Sequence, residues 1–352
     1  MTNIIFAPAT AQGISALSII RVSGKGAGEI LKNLTRKKLP EKRRLSLRTF
    51  YKNNEDDFTI DKCMVCWMPG PKSYTGEDCI EIYCHGSKAV ITTFLECLGK
   101  LKNTRLAEEG EFTKRALLNN KIDLVKTESV SDLINAETEK QRSLAITSLS
   151  GDLSLFIKDI NNRLSLILAN TEALIDFSDE DLPGNVLIKI KEQTKNIIKI
   201  LKKDINNSKI SKPIRSGFVV SVIGKPNTGK SSFINYISKK EVSIVTNIPG
   251  TTTDSVTSAI DIRGVKFTFF DTAGLRKHKN KIEEIGIKKT KQIIKKSDLN
   301  IVFLKADEKN KYKSISSKIF VRSKSDIRKI KKTKESALNI SSKTGSGINR
   351  LL

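Results

Sequence analysis

Phe218-Val-Val-Ser-Val-Ile-Gly-Lys-Pro-Asn-Thr-Gly-Lys-Ser231 joins a continuous apolar run to a glycine-rich pattern. The apolar run, which ends at Ile223, has the length and composition of a buried parallel strand. The G-x-x-x-x-G-K-S pattern is typical of a phosphate-binding loop, and the apolar residues beyond it predict the helix that such a loop precedes. Its glycines let backbone N–H groups approach phosphates, Lys230 supplies a positive charge, and the Ser231 hydroxyl can bind Mg²⁺. This stretch therefore predicts an α/β nucleotide-binding domain.

Two further motifs follow in the order expected for a GTP-hydrolysing switch protein. The polar loop Ile248-Pro-Gly-Thr-Thr-Thr-Asp254 lies where such proteins place a threonine, here Thr252, that contacts Mg²⁺ and the terminal phosphate. Phe267-Thr-Phe-Phe270 predicts a second buried strand, which ends in Asp271-Thr-Ala-Gly274. That carboxylate can reach the outer shell of the metal, and the glycine N–H can face the terminal phosphate. The three motifs together predict a GTPase.

Base recognition is less regular in this sequence. Guanine specificity in switch GTPases usually depends on an Asn-Lys-x-Asp motif, and the candidate here is Ser323-Lys-Ser-Asp326, in which serine replaces the asparagine. Ser341-Ser-Lys343 can form the loop that closes over the base. We therefore expect GTP to be preferred over ATP, with weakened affinity or discrimination.

The formal net charge of +25 allows two interpretations. A charge of this size attracts polyanions, which makes nucleic acid a natural partner. Alternatively, a general bias towards lysine, isoleucine and asparagine places lysine on every solvated surface. This interpretation is supported by the lack of an arginine cluster or aromatic stripe that would localise the charge. Both interpretations stay open at this point.

The sequence shows no apolar run of the roughly 20 residues that a membrane-spanning helix needs, and no signal peptide pattern at its start. We therefore expect a cytoplasmic protein with no membrane association. The five cysteines all lie between Cys63 and Cys97 and lack a second pair at zinc-ligand spacing. We expect reduced thiols that pack as small hydrophobic side chains.

Sequence texture predicts a multidomain protein that combines α+β and α/β folds. Residues 1–121 mix short apolar runs with glycine turns and predict an α+β domain. Residues 122–212 show three- and four-residue apolar spacing, which predicts helices with a break at Pro183-Gly184. Ser211–Ser216 is interpreted as a short linker, and residues 213–352 as the nucleotide-binding domain.

Upstream signatures give the chain a family resemblance over nearly its whole length. Ser73-Tyr-Thr-Gly-Glu-Asp78, His85-Gly86, Gly110-Glu-Phe112 and Asn119-Asn-Lys-Ile-Asp123 accompany the GTPase motifs. This combination resembles the MnmE (TrmE) family of tRNA-modifying GTPases. The resemblance implies an N-terminal domain that binds folate and dimerises, a helical domain, and a Ras-like G domain inserted into the helices.

The resemblance also implies specific binding residues. Arg21, Glu81 and Lys121 match positions that contact 5-formyl- or methylene-tetrahydrofolate, and Glu283 matches the glutamate that positions the attacking water, with Glu284 as its competitor. The implied K⁺ ligands are Asn227, Thr246, Ile248 and Thr251, although Asn247 and Pro249 alter that loop and Thr253 replaces a customary arginine. The full set of predicted nucleotide-contacting residues is Asn227, Thr228, Gly229, Lys230, Ser231, Ser232, Thr246, Asn247, Ile248, Pro249, Gly250, Thr251, Thr252, Asp271, Thr272, Ala273, Gly274, Lys324, Asp326, Ser341, Ser342 and Lys343.

The implied partners are tRNA, a second copy of the chain, and the flavoprotein MnmG in a heterotetramer that modifies C5 of the wobble uridine. The sequence ends at Leu352 without the Cys-x-Gly-Lys motif and the further helices that family members carry. We therefore expect the apolar faces around Leu153 to Leu174 to be partly uncovered. Either the chain is a fragment, or it is a reduced protein that keeps GTP switching while modification is impaired. Other hypotheses are an RNA-binding or ribosome-assembly GTPase, which would not need folate, and a scaffold without GTP hydrolysis.

Overall fold

The computed structural model describes residues 3–52, 58–176, 185–240, 242–244, 257–271, 292–304, 315–327 and 337–352. Contacts within the chain define two compact units, Met1–Glu128 and Ser129–Leu352. Both units are mixed α and β structure, and the predicted combination of α+β and α/β folds is confirmed. None of the described helices is both long and apolar enough to cross a bilayer.

The first unit is built on a six-stranded sheet with the strand order β3-β4-β5-β2-β1-β6. Among the described strands of this sheet, the β1–β6 pair is the parallel one and the other pairs are antiparallel. The elements are β1 (Ile4–Pro8), β2 (Ser15–Ser23), α1 (Ala27–Thr35), β3 (Leu45–Tyr51), β4 (Thr59–Met68), β5 (Cys79–Gly86), α2 (Lys88–Gly99), β6 (Thr104–Leu106) and α3 (Glu111–Leu118).

Strand alternation places one face of this sheet in a hydrophobic core. Phe50, Phe94 and Trp67 are buried there together with the inward side chains of β2 and β5. Cys63, Cys79, Cys84 and Cys97 are buried free thiols, as the sequence predicts, and Cys66 is half-buried. Burial raises the pKa of Cys79 to about 12 and that of Cys84 to about 11, so both behave as neutral hydrophobic groups at physiological pH.

The second unit begins with helices. α4 (Leu124–Ile134) starts just before it, and α5 (Glu139–Ser150), α6 (Asp152–Asp176) and α7 (Val186–Ser216) follow. Thr138 and Gln141 form a capping box that fixes the start of α5. Many apolar side chains of α6 are exposed, as expected from the sequence: Leu153, Leu155, Leu164, Leu166, Leu168 and Ile175.

The interpretation of Ser211–Ser216 as a linker is wrong. α7 continues through Pro213 and ends at Ser216, because Gly217 then adopts a left-handed φ of 73°. A proline removes one backbone donor and favours a kink, but it does not oblige the following residues to leave the helix. The change of direction therefore comes at the glycine. The predicted break at Pro183-Gly184 falls in the interval between α6 and α7, outside the described residues.

The rest of the second unit is a seven-stranded sheet with the order β13-β12-β11-β7-β10-β9-β8. β7 lies at its centre, paired in parallel with β10 and β11, whereas β8, β9 and β10 pair antiparallel. The elements are β7 (Phe218–Gly224), α8 (Lys230–Lys240), β8 (Val242–Ile244), β9 (Thr257–Ile262), β10 (Val265–Asp271), β11 (Leu299–Leu304), β12 (Lys318–Arg322), β13 (Ala337–Asn339) and α9 (Ile348–Leu351).

Phe233 holds α8 against this sheet. Its ring packs 5.6 Å from that of Phe303 and 6.3 Å from that of Phe269, measured between ring centroids, and all three side chains are buried. These contacts fix the start of α8 opposite the carboxyl ends of β7 and β10. In open α/β sheets, ligands bind at this edge.

Candidate functional site

The phosphate loop connects β7 to α8 in a backbone shape that its glycines permit. Asn227 and Gly229 have left-handed φ values of 60° and 87°. A Cβ atom on Gly229 would lie 2.8 Å from Ser323 Oγ, and one on Gly224 would lie 2.6 Å from the carbonyl oxygen of Phe303. Neither position has room for a side chain, so both glycines are needed for the close packing of this loop.

Lys230 lies inside the loop. Its Nζ donates hydrogen bonds to the carbonyl oxygens of Gly224, at 3.0 Å, and Lys225, at 2.8 Å. The residue is only 4% exposed, so its ammonium group is enclosed by the backbone of the loop. A positive charge in this position suits a phosphate group that approaches the loop.

Ser231 and Asp271 meet at the mouth of the loop. Ser231 Oγ donates a 2.8 Å hydrogen bond to Asp271 Oδ2, although 40 residues separate them in sequence. One hydroxyl and one carboxylate oxygen are ligand types that Mg²⁺ prefers, directly or through water. The two oxygens therefore fit the predicted magnesium position.

The segment after β12 contacts the phosphate loop through the replaced asparagine position. Ser323 Oγ donates a 2.6 Å hydrogen bond to the carbonyl oxygen of Thr228. Thr228 Oγ1 in turn donates a 2.7 Å hydrogen bond to the carbonyl oxygen of Lys225. The serine at this position thus links the base-recognition segment to the loop directly. The sequence indicated only a departure from the usual motif here, and the contact comes from the fold.

Asp326 is positioned by Ser341. Ser341 is fully buried, and its Oγ donates a 2.7 Å hydrogen bond to Asp326 Oδ1. This hydrogen bond lowers the pKa of Asp326, which favours the carboxylate that a guanine edge requires. The backbone N–H groups of Lys343 and Thr344 also donate to Ser341 Oγ. The two predicted base-recognition segments therefore lie together, and Lys324, with a left-handed φ of 63°, lies between Ser323 and Asp326.

We expect Ser323→Ala to weaken GDP binding about threefold to tenfold, because one hydrogen bond between the two loops is worth about 1 kcal/mol. Isothermal titration of the wild-type and variant chains with GDP measures the effect. Ser325→Ala is the control, since it removes the same hydroxyl group from a neighbouring serine. Equal affinities for all three proteins would contradict a role for the Ser323 contact.

Several predicted site residues lie outside the described residues, and their roles stay predictions. They are Thr246, Asn247, Ile248, Pro249, Gly250, Thr251, Thr252, Thr272, Ala273, Gly274 and Glu283, with the competing Glu284.

In the first unit, Arg21 and Glu81 form a pair across β2 and β5. Arg21 Nη2 and Nε donate to Glu81 Oε1 at 2.7 and 2.9 Å, and Tyr83 donates to Oε2 at 2.8 Å. The Arg21 guanidinium lies over the rings of Tyr74 and Phe112, 5.0 and 5.5 Å from their centroids. Aromatic rings and a paired arginine and carboxylate fit a ligand that is both planar and charged, as a folate is.

Lys121 belongs to the same neighbourhood through the loop that carries Tyr74. A Cβ atom on Gly76 would lie 3.1 Å from Lys121 Cγ, so the lysine stem packs against that loop. Asn119 donates to the carbonyl oxygen of Thr75 at 2.7 Å and fixes the preceding turn. The structure therefore pairs two of the three predicted folate residues and places the third against a loop that contacts one of them.

A buried ion-pair network next to this loop was missed by the sequence interpretation. Arg115 is 1% exposed and donates to both carboxylate oxygens of Glu77, to Glu111 Oε1 and to the carbonyl oxygen of Asn3. Hydrogen bonds from Arg105, then from the Glu108 backbone and Arg115, lower the pKa of Glu111 to about 2 despite its burial. The four-residue spacing of Glu111 and Arg115 could have indicated one of these pairs.

A buried parallel strand leads into a loop that encloses Lys230, and the adjacent strand delivers Asp271 to Ser231 at the loop's mouth. Together with the base-recognition segments, this geometry defines the class: a GTPase of the phosphate-loop type.

Comparison with known proteins identifies the family within that class. The family model described as "GTP-binding protein TrmE N-terminus" matches residues 4–121, and the model "MnmE helical domain" matches residues 124–352. The chain belongs to the MnmE (TrmE) family.

Similar proteins carry consistent names. The tRNA modification GTPase MnmE of Pelagibacter ubique is 43% identical over 92% of this chain and 74% of its own length. The protein of the same name from Dinoroseobacter shibae is 38% identical over 99% of this chain and 80% of its own length. The mitochondrial 5-taurinomethyluridine-[tRNA] synthase subunit GTPB3 of Rattus norvegicus is 37% identical, over 86% of this chain and 62% of its own length.

Among solved structures, the G domain of the T. maritima FeoB iron transporter is 21% identical, covering 38% of this chain and 93% of that one, with a TM-score of 0.29. This likeness is too distant to add to the assignment.

Proposed function

We propose that this protein hydrolyses GTP as part of a tRNA modification system. The observation that carries the proposal is the convergence of Lys230, Ser231 and Asp271 at one edge of the sheet, where a magnesium-bound phosphate chain fits. The names of the similar MnmE proteins support tRNA modification as the process. A tRNA substrate is consistent with the cytoplasmic location expected from the sequence.

The finer proposal concerns the chemistry that accompanies hydrolysis. We propose that modification occurs at C5 of the wobble uridine together with the flavoprotein MnmG in a heterotetramer, and that the chain dimerises through its N-terminal domains. Tetrahydrofolate, as its 5-formyl or methylene form, would supply one carbon beside Arg21 and Glu81. The pairing of these two side chains, with Tyr74 and Phe112 packed on Arg21, supports a folate site in the first unit.

The proposed G-domain roles follow from the positions of the side chains. Asp326 accepts hydrogen bonds from the guanine edge, and the Lys230 ammonium contacts the phosphates. Ser231 and Thr252 would hold Mg²⁺, and Asp271 would reach its outer shell. Asn227 is the described candidate for binding K⁺, a cation that would add positive charge against the phosphates as hydrolysis proceeds. Glu283 is proposed to orient the attacking water.

GTP turnover in K⁺ and in Na⁺ tests the hydrolytic part. We expect faster turnover in K⁺, and we expect Glu283→Ala to lower turnover about 100-fold or more while GTP affinity changes little, because the glutamate acts on the water. Glu284→Ala is the matched control, with nearly wild-type turnover. A wild-type rate for Glu283→Ala together with a slow Glu284→Ala protein would transfer the role to the neighbouring residue.

Titration with 5-formyl-tetrahydrofolate separates the proposal from a ribosome-assembly GTPase. The wild-type chain is expected to bind this ligand, and Arg21→Met to bind it more weakly with GDP affinity unchanged, because the two sites belong to different units. Intact GDP binding without any folate binding at high micromolar ligand would favour the assembly function.

A further inference from the structure

The two long helices of the second unit differ sharply in charge. α7 carries nine basic and two acidic residues, a net charge of +7, whereas the neighbouring α6 carries two basic and four acidic residues, a net charge of −2. A uniform lysine bias would give both helices a similar, small positive charge. The basic charge of this chain is therefore not spread evenly: α7 carries +7 of the net +25, whereas the helix packed beside it is acidic.

Four lysines of α7 form a row, which we call the lysine row: Lys191, Lys195, Lys199 and Lys202. At 100° per residue they fall within about 80° of the helix circumference, and at 1.5 Å per residue they extend over about 16 Å. All four are exposed. In the described part of the chain, none of them forms an ion pair with a carboxylate. Glu192 borders the row, whose net charge remains strongly positive.

The row faces away from the packed side of α7. Ile197 is 5% exposed, and it lies about 120° or more around the helix from the lysines. The basic side chains are therefore free to meet a polyanion without any rearrangement of the packing of α7.

We infer that the lysine row binds the phosphodiester backbone of RNA. Lysine ammonium groups at regular intervals along a straight helix match a chain of phosphates, which needs point charges rather than directional hydrogen bonds. A membrane surface fits less well, because α7 has no aromatic residue that would anchor it at a bilayer interface. Within the proposed function, on which this inference rests for the identity of the RNA, the ligand is tRNA.

The test uses the full 352-residue chain and a fluorescently labelled tRNA transcript, with affinity measured by anisotropy at several KCl concentrations. Replacing the four lysines by glutamine is expected to weaken tRNA binding at least about tenfold and to reduce the slope of log K against log salt by about 3, since each lost phosphate contact contributes 0.7–0.9. Glutamine keeps the helix propensity, and circular dichroism checks the fold.

A control variant removes the same charge elsewhere. Lys38, Lys88, Lys100 and Lys102 are exposed lysines of the first unit, and their replacement by glutamine is expected to change the salt slope by less than 1. Equal losses in both variants would overturn the inference, because net charge alone would then explain binding. Wild-type affinity in the lysine-row variant would also overturn it, as would binding of anionic phosphatidylserine vesicles through the row in place of tRNA.

GDP affinity measured on the same samples distinguishes this inference from the proposed function. The lysine-row variant is expected to bind GDP as the wild type does. Intact GDP binding with no tRNA binding by the wild-type chain, even at 50 mM salt (on the order of the lower limit used for such titrations), would overturn the lysine row while leaving the GTPase assignment in place. Loss of GDP binding in the wild type would instead contradict the proposed function.

Discussion

Replacing Lys230 by alanine is expected to lower the affinity for GDP and GTP about 100-fold or more, because a hydrogen bond to a charged group is worth about 1.5–3 kcal/mol and the ammonium can contact two phosphates. Its Nζ already lies within the loop, bonded to the carbonyl oxygens of Gly224 and Lys225. Little reorganisation is therefore needed when a phosphate arrives. Isothermal titration with each nucleotide measures the loss.

Lys225 provides the matched control for this prediction. It lies in the same loop, but its side chain is exposed, whereas that of Lys230 is buried, at 4% exposure. Lys225→Ala removes the same charge and should change the affinity less than about threefold, because exposed charges are screened by water and salt. Similar affinities for the two variants would show that the enclosed position of Lys230 has no special role in binding.

Arg115→Met is expected to destabilise the first unit by about 3–5 kcal/mol, the range found when one partner is removed from a buried ion pair. Arg115 is 1% exposed in the native fold. The substitution removes the hydrogen bonds that it donates to Glu77, to Glu111 and to the carbonyl oxygen of Asn3. Urea unfolding followed by Trp67 fluorescence measures this change, since Trp67 is the single tryptophan and lies in the core of this unit.

Arg105→Met makes the same chemical change at an exposed site. Arg105 pairs with Glu111, but its side chain is 41% exposed, so the expected loss is about 1 kcal/mol or less. Because Glu77 belongs to the loop that carries Tyr74, we also expect Arg115→Met to weaken folate binding. Equal unfolding free energies for the two variants would contradict the central place of Arg115 in the network.

The sequence predicted the position of the phosphate loop in the fold, because the signal for it is local. Gly224, Gly229, Lys230 and Ser231 occupy the predicted loop between the predicted strand and helix, and Asp271 ends the predicted second strand. Helical periodicity likewise predicted α6, since apolar residues at three- and four-residue spacing indicate an amphipathic helix regardless of its neighbours.

Local signals failed where two competing preferences had similar strength. Pro213 suggested a linker, yet α7 runs through it and ends at Ser216, before Gly217. Composition also left the origin of the net charge undecided. The helix boundaries, which the structure provides, are needed to assign a net charge of +7 to α7 and of −2 to α6.

The sequence by itself determined the phosphate loop, its flanking elements and the family, because glycine spacing and apolar periodicity act through neighbouring residues. Only the tertiary structure decided the contacts between distant segments. Ser323 reaches Thr228 across 95 residues, and Arg115 reaches Asn3 across 112. The packing of sheets and helices brings these partners together. The residues next to them in sequence form no local pattern that indicates the contact.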